Sequence, residues 1–298
     1  MLKIAIIGAG VVGTAIGYLL KQSGYPVVSI ASRTLKSARR ARAFIGHGVA
    51  STDLAETARK ADVIFITTSD SAIKKTCDKI ASENGFRAGS IVFHTCGALP
   101  SEVLKSARKR GAYVASIHPL QSLASVQEAV KNLRGSFFCV EGDEGALNVA
   151  RGIVKALKGR QIHLRVDKKP LYHAGASVAS NFLVATVGFG LELFESAGID
   201  KQDSLKALMP LIKGTVNNIE RIGIPSALTG PVSRGDKGVV EGHLESISKE
   251  RPGMVNLYTE LGRHTVKIAL QKKTITQNVA REIISLFDRY QKRVRNYA

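Results

Sequence analysis

A chain of 298 residues with 44% apolar content is long enough for two domains, and its composition is that of a soluble globular protein. Three scattered cysteines, Cys77, Cys96 and Cys139, exclude a disulfide framework or a zinc site and fit a reducing, cytoplasmic setting. The formal charge of +19, concentrated in the first 165 residues, favours anionic ligands, and no nucleic-acid reading motif accompanies it.

Met1-Leu2-Lys3 and the apolar stretch to Leu20 imitate a signal peptide, but Gly8, Gly10, Gly13 and Gly17 are spaced for another purpose. Gly8-Ala9-Gly10-Val11-Val12-Gly13 follows the strand-like run Ile4-Ala5-Ile6-Ile7 and opens a helix-compatible segment. In that context the three glycines allow a tight turn, close approach of a pyrophosphate, and close packing of helix on strand. A dinucleotide phosphate then meets free N–H groups at a helix N-terminus.

The next strand, Val27 to Ala31, ends where an NAD site would place Asp or Glu against the ribose. Ser32-Arg33-Thr34 stands there instead. Arg33 can fork onto a 2′-phosphate while Ser32 and Thr34 donate hydrogen bonds, so NADP(H) is the expected cofactor. The following Arg39, Arg40 and Arg42 read as a solvated helix face.

Further β-rich runs, at Val63–Thr67, Ile91–His94 and Ala112–Ile117, alternate with helical segments, as in a doubly wound parallel sheet with functional loops at its carboxyl edge. Thr68 is placed with the cofactor residues at one of those strand ends. His94-Thr95-Cys96-Gly97 and Ser116-Ile117-His118-Pro119-Leu120-Gln121-Ser122 lie at two others, both directed at the cofactor cleft. His118 is a titratable group on a fixed turn, whereas Cys96 reads as packing or cleft lining. Two last strands, Phe137–Val140 and Gln161–Leu164, flank a helix over 146–158.

The pattern changes after Arg165. A Rossmann-like, mostly parallel α/β domain is expected over 1–165 and an all-helical substrate and dimerisation domain over 166–298. Its helices are expected over 171–197, 202–222, 237–249, 254–270 and 275–294, with a linker at Val166-Asp167-Lys168. The apolar run from Phe182 to Phe194 is short and includes Glu192, so no membrane span is expected.

His173, Ser177 and Asn181 recur every four residues and share one helix face, a polar row that needs partners such as substrate oxygens, backbone or buried water. Thr229-Gly230-Pro231-Val232-Ser233-Arg234-Gly235-Asp236 reads as a loop. There Arg234 suits bidentate grip of a carboxylate, with Thr229 and Asp236 beside it in the substrate site or, for Asp236, as a helix N-cap.

Leu171-Tyr172-His173-Ala174, Ser180-Asn181-Phe182, the loop from Leu228 to Asp236 and Ser116 to Leu120 together resemble a family of candidate oxidoreductases. Its members join a Rossmann-like domain to a helical domain of unknown function. The wider resemblance is to ketopantoate reductase, pyrroline-5-carboxylate reductase and prephenate dehydrogenase. The Lys-x-x-x-Asn-x-x-x-Asn motif of ketopantoate reductase is matched by His173, Ser177 and Asn181, with histidine replacing the lysine acid and serine one asparagine.

That resemblance implies an NADPH-dependent reductase of a small carbonyl or imine carboxylate, held between the two domains. His173 is then the proton donor and His118 the reserve acid, Ser177 and Asn181 orient substrate, and Arg234 grips its carboxylate. Two alternatives stay open: a prephenate-type dehydrogenase using His118 as base, and a non-catalytic NADPH-binding redox sensor. Long apolar helix faces lead to the expectation of a homodimer.

Overall fold

The computed structural model describes residues 1–295, and two compact units emerge from its contacts, Met1–Phe182 and Leu183 onward. The first unit runs β1 (Ile4–Ile7), α1 (Val11–Gln22), β2 (Val27–Ala31), α2 (Leu35–Ile45), β3 (Val49–Ser51), α3 (Leu54–Arg59), β4 (Val63–Ile66) and α4 (Asp70–Ser82). It continues through β5 (Ile91–His94), α5 (Lys105–Arg108), β6 (Tyr113–Pro119), α6 (Val126–Asn132), β7 (Phe137–Gly142), α7 (Glu144–Ala156) and β8 (Arg160–His163). These eight strands form one sheet in the order β3-β2-β1-β4-β5-β6-β7-β8. All pairs are parallel except β6 with β7.

Strand side chains alternate between the two faces of the sheet, and both faces are covered. Ile4, Ile6, Phe65 and Phe93 enter one core with α1 and α7, while Ala5, Ile7, Ile64 and Val92 enter the other with α4. That double burial is why the central strands read as unbroken apolar runs. Local signals set the helix ends: Thr34 caps α2 by accepting from Ser37 N, Gly46 closes it in the left-handed region, and Asp53 caps α3. The short edge strand β3 is an addition to the expected elements. Val49 is 56% exposed there, so no apolar run marks it.

Helices account for the rest: α8 (Lys169–Ser196), α9 (Lys201–Ile222), α10 (Pro231–Arg234), α11 (Lys237–Glu250), α12 (Val255–Lys272) and α13 (Gln277–Arg295). In the second unit, Val240, Leu244, Val255, Val266, Ile283 and Phe287 of α11, α12 and α13 form a core of their own. The Val166–Lys168 stretch is a single 3-10 turn running straight into α8. By length and composition alone, Val166–Ser196 could cross a membrane, with a mean hydropathy of 1.4 over its most apolar window, of which 6% is buried. The apolar run thus starts well before Phe182, through the uncharged stretch from Pro170 to Leu191.

Candidate functional site

The carboxyl ends of the parallel strands carry two groups of residues, and the first is the glycine turn. Gly8 has φ +111, and a Cβ there would lie 2.6–2.7 Å from the Thr67 and Thr68 backbone, so only glycine allows this turn to lie against the end of β4. Gly13 is packed as closely, since a Cβ on it would lie 2.2 Å from Thr67 Oγ1 and 2.3 Å from the Gly8 carbonyl oxygen. Around Gly10, by contrast, a Cβ would meet nothing within 4 Å. Gly10 is the N-cap of α1, which has no side-chain cap and no acidic residue in its first turn, so first-turn N–H groups stay available for an anion.

Thr68 has a buried hydroxyl with no hydrogen-bond partner among the described residues, beside this turn. Arg33 is exposed just past β2 and makes no hydrogen bond among the described residues. Thr34 is committed differently from expectation, since its hydroxyl donates to Ser37 Oγ at 2.9 Å as it caps α2. No Asp or Glu occurs before Asp53. An open helix end, an orphaned hydroxyl and the lack of Asp or Glu around the end of β2 fit a dinucleotide, which Gly8 to Gly13, Ser32, Arg33 and Thr68 could hold.

The second group surrounds a cavity of about 510 Å³ on the same unit. His118 of β6 and Tyr172, His173, Ser177 and Asn181 of α8 all line it. The four-residue period of the polar row therefore has the geometry expected of one helix face. His118 Nδ1 and the Tyr172 hydroxyl share a hydrogen bond of 3.0 Å, and the His118 and His173 rings meet edge to face at 6.0 Å. Gly97, after β5, makes room for both rings: a Cβ there would lie 2.7 Å from His118 Cε1 and from His173 Cδ2. Burial, the Lys169 ammonium and the neighbouring His173 pull His118 down to about 4, so it is uncharged at neutral pH.

Other strand-end residues turn inward. His94 is fully buried, accepts the Cys96 backbone N–H at Nδ1, and is pulled down to about 3 by burial and by Lys169. It does not face the cleft as expected. Cys96 is buried, and burial raises its thiol, which keeps it protonated and inert. Cys77 and Cys139 are likewise free and buried.

Within the second unit, Pro231 starts the one-turn helix α10 and Gly235 ends it in the left-handed region, so the expected loop is partly helical. Arg234 Nε donates to Asp236 Oδ2 at 2.8 Å. Asp236 occupies the N-cap position of α11 without a capping hydrogen bond, because its carboxylate is taken by Arg234. Arg234 and Asp236 thus form one partly exposed ion pair, with Thr229 exposed nearby.

Sequence reasoning missed Lys169 and Glu141 as parts of this region, and it held Tyr172 and Gly97 only as members of longer motifs. For Lys169 a signal existed: it stands one turn before His173 on the same four-residue period.

A Rossmann-like domain description matches residues 1–119, and the domain of unknown function DUF2520 matches residues 136–265. No curated protein matches the sequence. Among solved structures, the chain is similar to a candidate NADP oxidoreductase from Bacteroides fragilis at 25% identity and TM-score 0.73, covering 89% of this chain and 98% of that one. It is also similar to a protein from Thermotoga maritima at 28% identity and TM-score 0.72, covering 91% and 99%. A pyrroline-5-carboxylate reductase from Coxiella burnetii shares the fold at 16% identity and TM-score 0.58, covering 90% and 97%. The chain is thus similar to a Rossmann-like domain in its first part and to DUF2520 in its second, the pairing its motifs resemble.

Proposed function

We propose that the protein is an NADPH-dependent reductase acting on the carbonyl or imine carbon of a small carboxylate, in the manner of ketopantoate reductase. One observation carries this reading: two histidines and the Ser177–Asn181 row line one cavity on a unit whose strand ends also bear the glycine turn. The similarity to a candidate NADP oxidoreductase supports it. The absence of carboxylates before Asp53, and an Arg33 with no hydrogen bond among the described residues, favour a 2′-phosphate over a free ribose.

The bound nicotinamide would supply hydride. On the protein side, His173 gives a proton to the substrate oxygen or nitrogen as negative charge develops there, and Ser177 and Asn181 hold the substrate by hydrogen bonds. Tyr172 fixes the His118 ring through their shared hydrogen bond. Exposed apolar side chains on α8 and α9, such as Leu171 at 74% and Leu211 at 65%, suit burial against a second copy of the chain, making the enzyme a homodimer.

The test is a screen of 2-oxo acids, cyclic imines and prephenate for NADPH-linked absorbance change. Oxidation of NADPH by an oxo acid or imine is the expected result. Reduction of NADP by prephenate would move the protein to the dehydrogenase class, and tight NADPH binding without turnover on any of them would make it a sensor.

A further inference from the structure

A buried charge lies beside the two histidines, and proton transfer as described above does not use it. Lys169, the first residue of α8, is 0% exposed. Its ammonium donates to Ser116 Oγ at 2.6 Å and to the Cys96 carbonyl at 3.4 Å, and it is ion-paired with Glu141 Oε1 at 3.3 Å. Glu141 is satisfied in turn, accepting from Ser101 N at 2.8 Å and Ser101 Oγ at 2.7 Å. Desolvating such a pair is costly, and well-packed apolar residues would often serve stability as well. Its location supplies the reason to look for another role.

Alternate residues of a strand leave on the same face, so Ser116 and His118 project together from β6. Residues three and four apart on a helix also share a face, so Lys169, Tyr172 and His173 project together from α8. Helix and strand are therefore joined by two successive rungs, Lys169 to Ser116 and Tyr172 to His118. One rung carries a fixed positive charge, and the other carries an imidazole two residues along the strand, roughly 7 Å away.

We propose that Lys169 is a positioning residue: locked against β6 by Glu141 and Ser116, it bars a second positive charge from His118 and so leaves proton delivery in the cavity to His173. His118 then serves as an uncharged hydrogen-bond partner. The groups facing His118 are consistent with this division. Lys169, Tyr172 and His173 come from α8, Cys139 lies opposite on β7, and Asp70, exposed at the start of α4, favours the charged form, while the Glu141 carboxylate on β7 is offset by its pairing with Lys169. The inference rests on the reductase reading for what the proton is used for, but not for the charge on His118.

Histidine titration by NMR on the full-length protein tests it without any substrate, the two signals being assigned from His118→Gln and His173→Gln. His118 should titrate near pH 4 in the parent. Lys169→Met combined with Glu141→Gln removes both buried charges without stranding either, and should raise the His118 midpoint by about one pH unit. Lys169→Met alone should raise it further, since Glu141 then faces His118 uncompensated, whereas Lys169→Arg should keep it low. An ordinary His118 midpoint in the parent, or no rise in whichever of the two Met-containing proteins folds, overturns the proposal. So does a Lys169→Arg protein that titrates like the double variant. If His118 shifts as expected while the substrate screen finds no turnover, the reductase reading falls and the charge barrier stands.

Discussion

Two of the three glycines in the first turn are required for different reasons, and replacing each with alanine separates fold from ligand. In Gly13→Ala the new methyl would lie 2.2 Å from Thr67 Oγ1 and 2.3 Å from the Gly8 carbonyl oxygen. Neither neighbour can retreat freely, because they are hydrogen-bonded to each other at 2.7 Å and one of them is backbone. Overpacking costs typically about 1–3 kcal/mol and loss of that hydrogen bond about 0.5–1.5, so a destabilisation of about 2–4 kcal/mol is expected. In Gly10→Ala the methyl meets no protein atom within 4 Å, and φ −82 suits alanine. Its cost should stay at or below about 1 kcal/mol, from the weaker N-cap preference of alanine. The same methyl would occupy the space where a pyrophosphate approaches α1, lowering NADPH affinity about 10–100-fold. Urea unfolding followed by circular dichroism measures the first quantity, and calorimetric titration with NADPH the second. If Gly10→Ala destabilises as much as Gly13→Ala, or binds NADPH as the parent does, the assignment of the turn to a dinucleotide is wrong.

Arg33→Asp should weaken NADPH binding by about 2–4 kcal/mol and NADH binding much less, by loss of a charge-assisted contact and added repulsion; equal losses for the two cofactors would remove the 2′-phosphate from this residue. His173→Gln should lower turnover about 10²–10⁴-fold with NADPH affinity nearly unchanged, as single-turnover and binding measurements can show, and near-normal turnover would end its role as donor. His118 affects stability as well: with its folded value of about 4 below the ordinary 6.5, the native state binds fewer protons than the unfolded one between those limits. The stability linked to its neutral form is present above about 6.5 and lost as pH falls towards 4, about 2 kcal/mol of it by pH 5. In urea unfolding, His118→Gln should therefore lose about 2 kcal/mol less than the parent between pH 7 and 5, and equal losses would show that His118 is not held neutral.

Periodicity exposed most of this fold because the interior is regular. The central strands β1, β4 and β5 are buried on both faces, which forces runs such as Val63-Ile64-Phe65-Ile66. The expected helices of the second unit also match α9, α11, α12 and α13 to within a few residues. β3 escaped detection because a three-residue edge strand with an exposed valine has no apolar pattern to read. For the candidate site, the helical row His173, Ser177 and Asn181 was legible because all its members sit on one element. Lys169 continues that period, but beside Val166-Asp167-Lys168 it reads as the solvated end of a linker, and its burial comes with Glu141 and Ser116 on β7 and β6. The same applies to Gly97, whose meaning comes from two histidines remote in sequence.

The antiparallel pairing of β7 on β6 sets Glu141 directly across from Ser116. Slipping that pairing by a single residue would carry Glu141 to the opposite face of the sheet, stranding a carboxylate in one apolar layer and an ammonium in the other. Neighbouring alignments of two hydrophobic strands would otherwise differ little in energy, since Phe138 and Val140 could find apolar contacts in several of them. The ion pair makes those near misses expensive, so the reversal of strand direction at the end of the sheet carries its own proofreading.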